Sequence, residues 1–217
     1  MKLTLALETS SARYSLALGA SGKVLFDTLR DAPDDTSRDP SVMLARALQA
    51  MEARVGDIEA ILVDIGPGSL GSLRDGVAFA NGLAYALDTP VFGFTSFELV
   101  GHVAQRGAAA PVLCTRRANE GLAYAGVFDA GSVSRMRFGR LEEIVPAVAG
   151  EGRAFVAAGS FRAEIAALLP RATVIVTEIE TPVARTMLEI GVAGRAPADA
   201  LKSPVFPLHE RSAPFHG

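Results

Sequence analysis

Two clusters of residues have the types and spacing to do chemistry. Near the start, Glu8-Thr9-Ser10-Ser11 follows a short alternating apolar run. An acid and hydroxyls at the carboxyl edge of a strand suit a metal ion and a phosphate. The same residues also make an ordinary polar strand end with a turn, and both readings stay open. The second cluster is Gly66-Pro67-Gly68-Ser69-Leu70-Gly71, between a buried apolar run and a helical pattern. It matches G-x-G-x-x-G in form, and glycines there let a backbone approach a phosphate at a helix N-terminus. The dinucleotide context is missing. An acid is required beyond the next strand, about 20 residues on, but that strand ends Phe92-Gly93-Phe94-Thr95 and Asp88 precedes it. A tight strand-to-helix turn using positive φ and a remodelled phosphate-type loop remain. The phosphate-loop candidates are therefore Glu8, Thr9, Ser10, Gly66, Gly68 and Ser69.

Other reactive groups are sparse. Cys114 is the single cysteine and lies in an apolar strand pattern, where a buried structural thiol is expected. The histidines are His102, His209 and His216, and none has metal-ligand spacing. Gly22-Lys23-Val24 lacks the hydroxyl residue of a P-loop, and Ser69 lacks the frame of a nucleophile elbow. Arg116-Arg117 offers charge for a phosphate or carboxylate, though a solvated strand edge accounts for it. Arg135 and Arg137 share one face of a strand expected to meet solvent.

The elements that position these residues follow from periodicity. Leu3, Leu5 and Leu7 alternate, and Tyr14 to Leu18 and Val24 to Leu29 continue an antiparallel meander. Ser41 caps a helix with Leu44, Leu48, Met51 and Val55 on one face. A buried strand, 58–65, leads through the glycine loop to a helix over 73–87 capped by Ser69 or Ser72. A strand at 90–93 and a helix at 96–104 follow. Gly107-Ala108-Ala109-Ala110-Pro111 reads as a linker. After it come strands at 112–116, 122–129 and 133–138, a helix at 141–148, a strand at 154–158, a helix at 163–169, a strand at 173–176 and a helix at 182–191. From Ala196 on, four prolines predict an extended tail. Each half thus reads as a meander followed by alternating helix and strand, a structural duplication over 1–106 and 107–217.

The chain has 217 residues, enough for one large domain or two small ones. Its formal net charge of −3 argues against holding nucleic acid by bulk electrostatics. No apolar run reaches the length of a membrane helix and no signal peptide is evident, so a cytoplasmic protein is expected.

Several segments together resemble a known family. Leu7-Glu8-Thr9-Ser10-Ser11 is similar to its opening motif. Asp64-Ile65-Gly66-Pro67-Gly68-Ser69, with Leu73-Arg74 and the small residues Gly76, Ala78, Ala80, Gly82 and Ala84, resembles its G-P-G-S-F-T-G-L-R signature. Pro90 to Gly93 with Ser96-Phe97-Glu98 is similar to its P-x-x-G-V-S-S-L-E segment, and Arg116-Arg117 with Tyr124 to its D-A-R-R-x-E-V-Y strand. The family is TsaB/YeaZ, glycoprotease-like proteins of the peptidase M22-like superfamily that serve tRNA threonylcarbamoyladenosine synthesis.

The resemblance implies an α/β, actin-like ATPase (ASKHA, RNase H-like) fold with two similar subdomains. It implies a non-catalytic scaffold for a TsaD-like catalytic paralogue, joined by a TsaE-like ATPase, with a homodimer when alone and tRNA met indirectly. ATP and metal are then expected in the partner subunit, with no cofactor here. The partner and dimer surface implied is Leu44, Leu48 and Met51 on one helix and Leu73, Gly76, Val77, Ala80 and Ala84 on another. Replacing Ala80 with arginine is expected to break association and leave the monomer folded. The metal-binding H-x-x-x-H pair of the paralogue aligns with Ser96 and Val100, and Val100 has no ligand atom. An independent actin-like kinase or ATPase using Glu8, Thr9 and the Gly66–Gly71 loop, and a metallopeptidase, are the alternatives. Departures from the family pattern fall at Glu8, at Leu70 to Ser72, at Asn81 and at Cys114-Thr115, and the customary H-S-E element is absent.

Overall fold

The computed structural model describes residues 2–150, 154–198 and 204–215. The chain forms two compact units. The first takes Met1–Ile65, Leu70–Phe94 and Val183–Pro207, and the second takes Gly66–Ser69, Thr95–Pro182 and Leu208–Gly217. The expected break at 106/107 differs from this division: the crossing falls at 94/95, and a late segment returns to the first unit. Periodicity locates elements but carries no signal for which earlier element a late segment packs against.

In the first unit, β1 (Leu3–Glu8), β2 (Ser15–Ala20) and β3 (Lys23–Asp27) form the meander. The third strand stops at Asp27 because its carboxylate accepts from Leu29 N and caps a single helical turn, α1 (Thr28–Asp31). Helix α2 (Pro40–Ala50) is capped by Asp39 rather than Ser41; the carboxylate accepts from Ser41 N and Val42 N, with Pro40 in the first turn, where its missing N–H is harmless. Next come β4 (Ile58–Gly66), α3 (Leu70–Leu87) and β5 (Val91–Thr95). Helix α3 starts three residues earlier than expected, so Ser72 lies inside it and accepts a hydrogen bond from Arg38. The sheet order is β3-β2-β1-β4-β5, with β1 and β4 parallel. Leu3, Leu5, Leu7, Leu16 and Leu18 pack with Met43, Leu44, Ala47 and Leu48 of α2 and Val77, Ala80 and Ala84 of α3 in one core.

The second unit begins with α4 (Ser96–Ala104). Thr95 Oγ1 accepts from Glu98 N while Glu98 accepts from Thr95 N, a reciprocal capping box. Strands β6 (Val112–Arg117), β7 (Leu122–Asp129) and β8 (Ser132–Arg140) repeat the meander. Helix α5 (Leu141–Ala149), β9 (Ala154–Gly159), α6 (Arg162–Leu168) and β10 (Thr173–Val176) complete the sheet. Its order, β10-β9-β6-β7-β8, is that of the first sheet strand for strand. Alternation along β6 and β7 sends Leu113, Ala123 and Ala125 to the α5–α6 side, and Val112, Cys114 and Tyr124 to the α4 side. Gly101 lets α4 lie on β7: a Cβ there would stand 2.3 Å from the Phe128 ring.

Helix α7 (Arg185–Ile190) belongs to the first unit and is shorter than the 182–191 helix expected. Arg185 pairs with the buried Asp27 at 3.0 Å, and Ala184 N donates to Ser15 Oγ at 3.0 Å. Of the tail expected to be extended, 196–198 and 204–209 form no helix, Ala213–Phe215 form a 3-10 turn, and Ala198 covers the β5 edge. Ala198 bridges Val91, and Arg195 donates to Gly93 O while stacking on Phe94 at 3.8 Å. Among the described residues no helix is long and apolar enough to cross a membrane.

Candidate functional site

Glu8, Thr9 and Ser10 stand together at the end of β1 in the first unit, all buried. Glu8 Oε1 accepts from Ser10 Oγ at 2.7 Å and Ser11 N at 2.9 Å, and Oε2 from Ser15 Oγ at 3.3 Å. The carboxylate thus organises its own loop and, through Ser15, the start of α7. Thr9 points at α3. Its hydroxyl has no hydrogen-bond partner among the described residues, and a Cβ at Gly76 would lie 2.2 Å from it. That contact explains Gly76: the glycine admits Thr9 of the same chain.

Gly66, Gly68 and Ser69 fall in the second unit. Gly66 has φ +99°, so the turn needs glycine at that position. Gly66 and Gly68 are buried and Ser69 is exposed. Pro67 O accepts from Arg116 Nε at 3.4 Å, and Arg116 also reaches Glu180 O at 3.5 Å. Arg116 is therefore buried, contrary to the solvated edge expected, because carbonyls distant in sequence receive its guanidinium. Arg117 is exposed and lies 4.6 Å over the Phe161 ring.

The proposed interface residues need correction. Leu44, Leu48, Leu73, Gly76, Val77, Ala80 and Ala84 are buried inside the chain's own fold, and Met51 is half-buried against the same core. The small-residue stripe faces inward because α3 uses it to approach the sheet. A second stripe, offset around the helix, faces outward: Gly71, Asp75, Ala78, Gly82 and Tyr85, at spacings of four and three. Tyr85 is 61% exposed, and a Cβ at Gly71 or Gly82 would meet nothing within 4 Å. Beside it, Asn81 clamps Val205: its amide donates to Val205 O at 3.0 Å and accepts from Val205 N at 3.2 Å. The sequence marked Asn81 only as a departure from the family lysine.

On α4, Ser96 and Val100 lie one turn apart and both are buried, Val100 among Phe97, Val112 and Phe128. Cys114 is buried beside Phe97 O and Val112 O, and its burial pushes the thiol pKa strongly up. No group of three His, Cys, Asp or Glu side chains able to hold a metal forms among the described residues. Arg135 is not a simple strand-face residue. It sits at φ +52° where the register of β7 and β8 shifts, and its Nη1 donates to Val148 O and Ala149 O, capping α5. Arg137 is half-buried; His209 accepts from Arg211 N, and His216 lies outside the described residues.

Residues 32–138, just under half of the chain, match the sequence model of TsaD, tRNA N6-adenosine threonylcarbamoyltransferase. A Clostridium perfringens tRNA N6-adenosine threonylcarbamoyltransferase is 30% identical over 118 residues, 47% of this chain and 34% of that protein. The enzyme of the same name from Solidesulfovibrio magneticus is 35% identical over 106 residues, 42% and 29% of the two chains. The chain spans about a third of the length of these curated relatives. Among solved structures, YeaZ from Pseudomonas aeruginosa superposes with a TM-score of 0.75 at 22% identity, covering 96% of this chain and 100% of that one. Another P. aeruginosa structure, of an uncharacterized protein with similarity to peptidase YEAZ, gives 0.77 at 22% identity, covering 97% and 100%. The chain has the two-unit α/β fold of the YeaZ structures and is similar in sequence over residues 32–138 to TsaD, tRNA N6-adenosine threonylcarbamoyltransferase.

Proposed function

We propose that this chain is a non-catalytic scaffold for threonylcarbamoylation of adenosine 37 in tRNA, docking on a TsaD-like catalytic paralogue with a TsaE-like ATPase. The observation that carries the reading is Val100. The family resemblance aligns it with a metal-binding histidine of the paralogue, and its side chain fills an apolar cluster with Phe97 and Phe128. The first motif supports the same reading: Glu8 is engaged by Ser10, Ser11 and Ser15, and Thr9 by the surface of α3.

The docking surface is the outward stripe of α3, with Ala78, Gly82 and Tyr85, beside the exposed residues Val42 and Arg46 of α2. Small residues there admit a partner helix closely, and Tyr85 supplies an aromatic anchor of the kind that concentrates interface energy. The scaffold acts only if the partner's active state binds this chain better than its inactive state. Reconstitution tests this: a TsaD-like protein, a TsaE-like ATPase, tRNA, ATP and the threonylcarbamoyl donor, with and without this chain. Modified tRNA should form only with the chain present, and Gly82→Arg should abolish the stimulation. ATP turnover by the isolated chain at the rate of the assembly would refute the scaffold reading.

A further inference from the structure

The two sheets have four edges, and three carry devices that discourage pairing. Strand β3 has Lys23 and Asp27 at its ends and a register shift beside Gly19. Strand β5 is covered by the Val91–Ala198 bridge. Strand β8 carries Arg135, Arg137 and Arg140 and a register shift. The fourth edge, β10, is Thr173-Val174-Ile175-Val176, uncharged, with Ile175 58% and Val176 45% exposed. Among the described residues no strand pairs with its outer side.

We propose that β10 pairs antiparallel with β10 of a second copy about a twofold axis at Ile175, joining two second-unit sheets into one. Residues 173–177 read Thr-Val-Ile-Val-Thr, the same in either direction. A twofold therefore sets Thr against Thr, Val against Val and Ile175 against itself, all favourable cross-strand pairs. The backbone agrees with this register. Thr177 N donates to Ala157 O at 3.1 Å, so Thr177 and, by alternation, Ile175 and Thr173 address β9. Val174 and Val176 are left with N–H and C=O turned outward. The twofold puts Val174 opposite Val176 of the second copy, and each such pair exchanges both bonds. Ile175 then meets Ile175 in the non-bonded position, where side chains come closest.

Charge selects the direction. Arg171 is exposed before the strand, and Glu178 and Glu180 are exposed after it, Glu180 also pairing with Arg162 at 3.2 Å. Antiparallel pairing brings the Arg171 end of one copy to the acidic end of the other, whereas parallel pairing aligns like charges. Helix α6 lies over β9 and β10. With strands about 4.8 Å apart, the two α6 axes would run roughly 10 Å apart, an ordinary packing distance. The exposed Ala163, Ala166 and Ala167 suit that approach. The surface lies on the second unit, so it stands or falls independently of the scaffold reading.

The test is a cysteine trap. Cys114 is buried, so Ile175→Cys would place the one accessible thiol at the twofold. Under mild oxidation of the full chain, Ile175→Cys should form a covalent dimer about tenfold faster than Val55→Cys, whose exposure is 44%. Sedimentation should show Ile175→Glu and Val176→Pro weakening self-association about tenfold, the proline removing only an outward N–H. Equal cross-linking of the two cysteine variants would overturn the proposal. So would unchanged self-association in both substituted chains, with circular dichroism confirming that they are folded.

Discussion

Gly76→Ala probes whether the inward stripe of α3 serves the chain itself or another molecule. The new Cβ would lie 2.2 Å from Thr9 Oγ1 and 2.8 Å from Thr9 Cγ2. Rotating Thr9 leaves at least one heavy branch facing the new Cβ, because two of the three substituents on its own Cβ are heavy atoms. Overpacking of this kind costs about 1–3 kcal/mol. Alanine's helix propensity returns about 1 kcal/mol, leaving a net loss of about 0–2 kcal/mol. In a Thr9→Ala background both branches are gone, and the same substitution should stabilise by up to about 1 kcal/mol. The double-mutant cycle should therefore show a coupling of about 1–3 kcal/mol. Urea denaturation followed by circular dichroism at two protein concentrations measures it. A gain near 1 kcal/mol in both backgrounds would refute the packing argument. A coupling that grows with protein concentration would move the stripe to an interface between molecules.

Other expected outcomes follow from the same geometry. Ala80→Arg should unfold the monomer, costing several kcal/mol for a charge placed in an apolar core, whereas Gly82→Arg should change stability by less than about 1 kcal/mol; thermal melts separate them. Thr9→Val replaces a buried hydroxyl without a partner among the described residues by a methyl and should raise stability by about 1 kcal/mol in urea titrations; a loss of that size would show that the hydroxyl is used. Native Cys114 should react with a thiol reagent only as fast as the second unit opens, since burial raises its pKa. The carboxyls of Asp39, held by the Ser41 hydroxyl and backbone, and Asp35, held first by Ser37 N and then by Arg46, lie below their usual range. A folded pKa below the unfolded value makes stability present above about pH 4 and lost as pH falls through the folded value. Acid titration of Asp39→Ala and Asp35→Ala should show a shallower loss below that pH.

The fold was largely legible because its signals are local. Leu3, Leu5 and Leu7 alternate along β1, and the helix expected over 96–104 has those same bounds. The repeated order of meander, helix and strand is legible in both halves, whereas the order of strands within each sheet comes only from the structure. The direction of α3 was not legible: small residues recur on two stripes, and only packing decides that Gly76, Ala80 and Ala84 meet the sheet while Ala78 and Gly82 meet solvent. Arg116 was misplaced for a related reason. Its acceptors, Pro67 O and Glu180 O, are 49 and 64 residues away, and no periodicity encodes them. Asn81 gained meaning only when its acceptor proved to be a backbone 124 residues downstream.

The interleaved division of the chain has a consequence for its synthesis. The first unit is incomplete until Val183–Pro207 has been made, and the second until Leu208–Gly217 follows. A nascent chain that has passed Val176 therefore holds all ten strands, yet each unit still waits for a later segment to pack on it. Both units depend on segments beyond Pro182, in contrast to chains whose domains close one after another. Early release of a prematurely terminated chain would yield two unfinished cores rather than one finished and one missing.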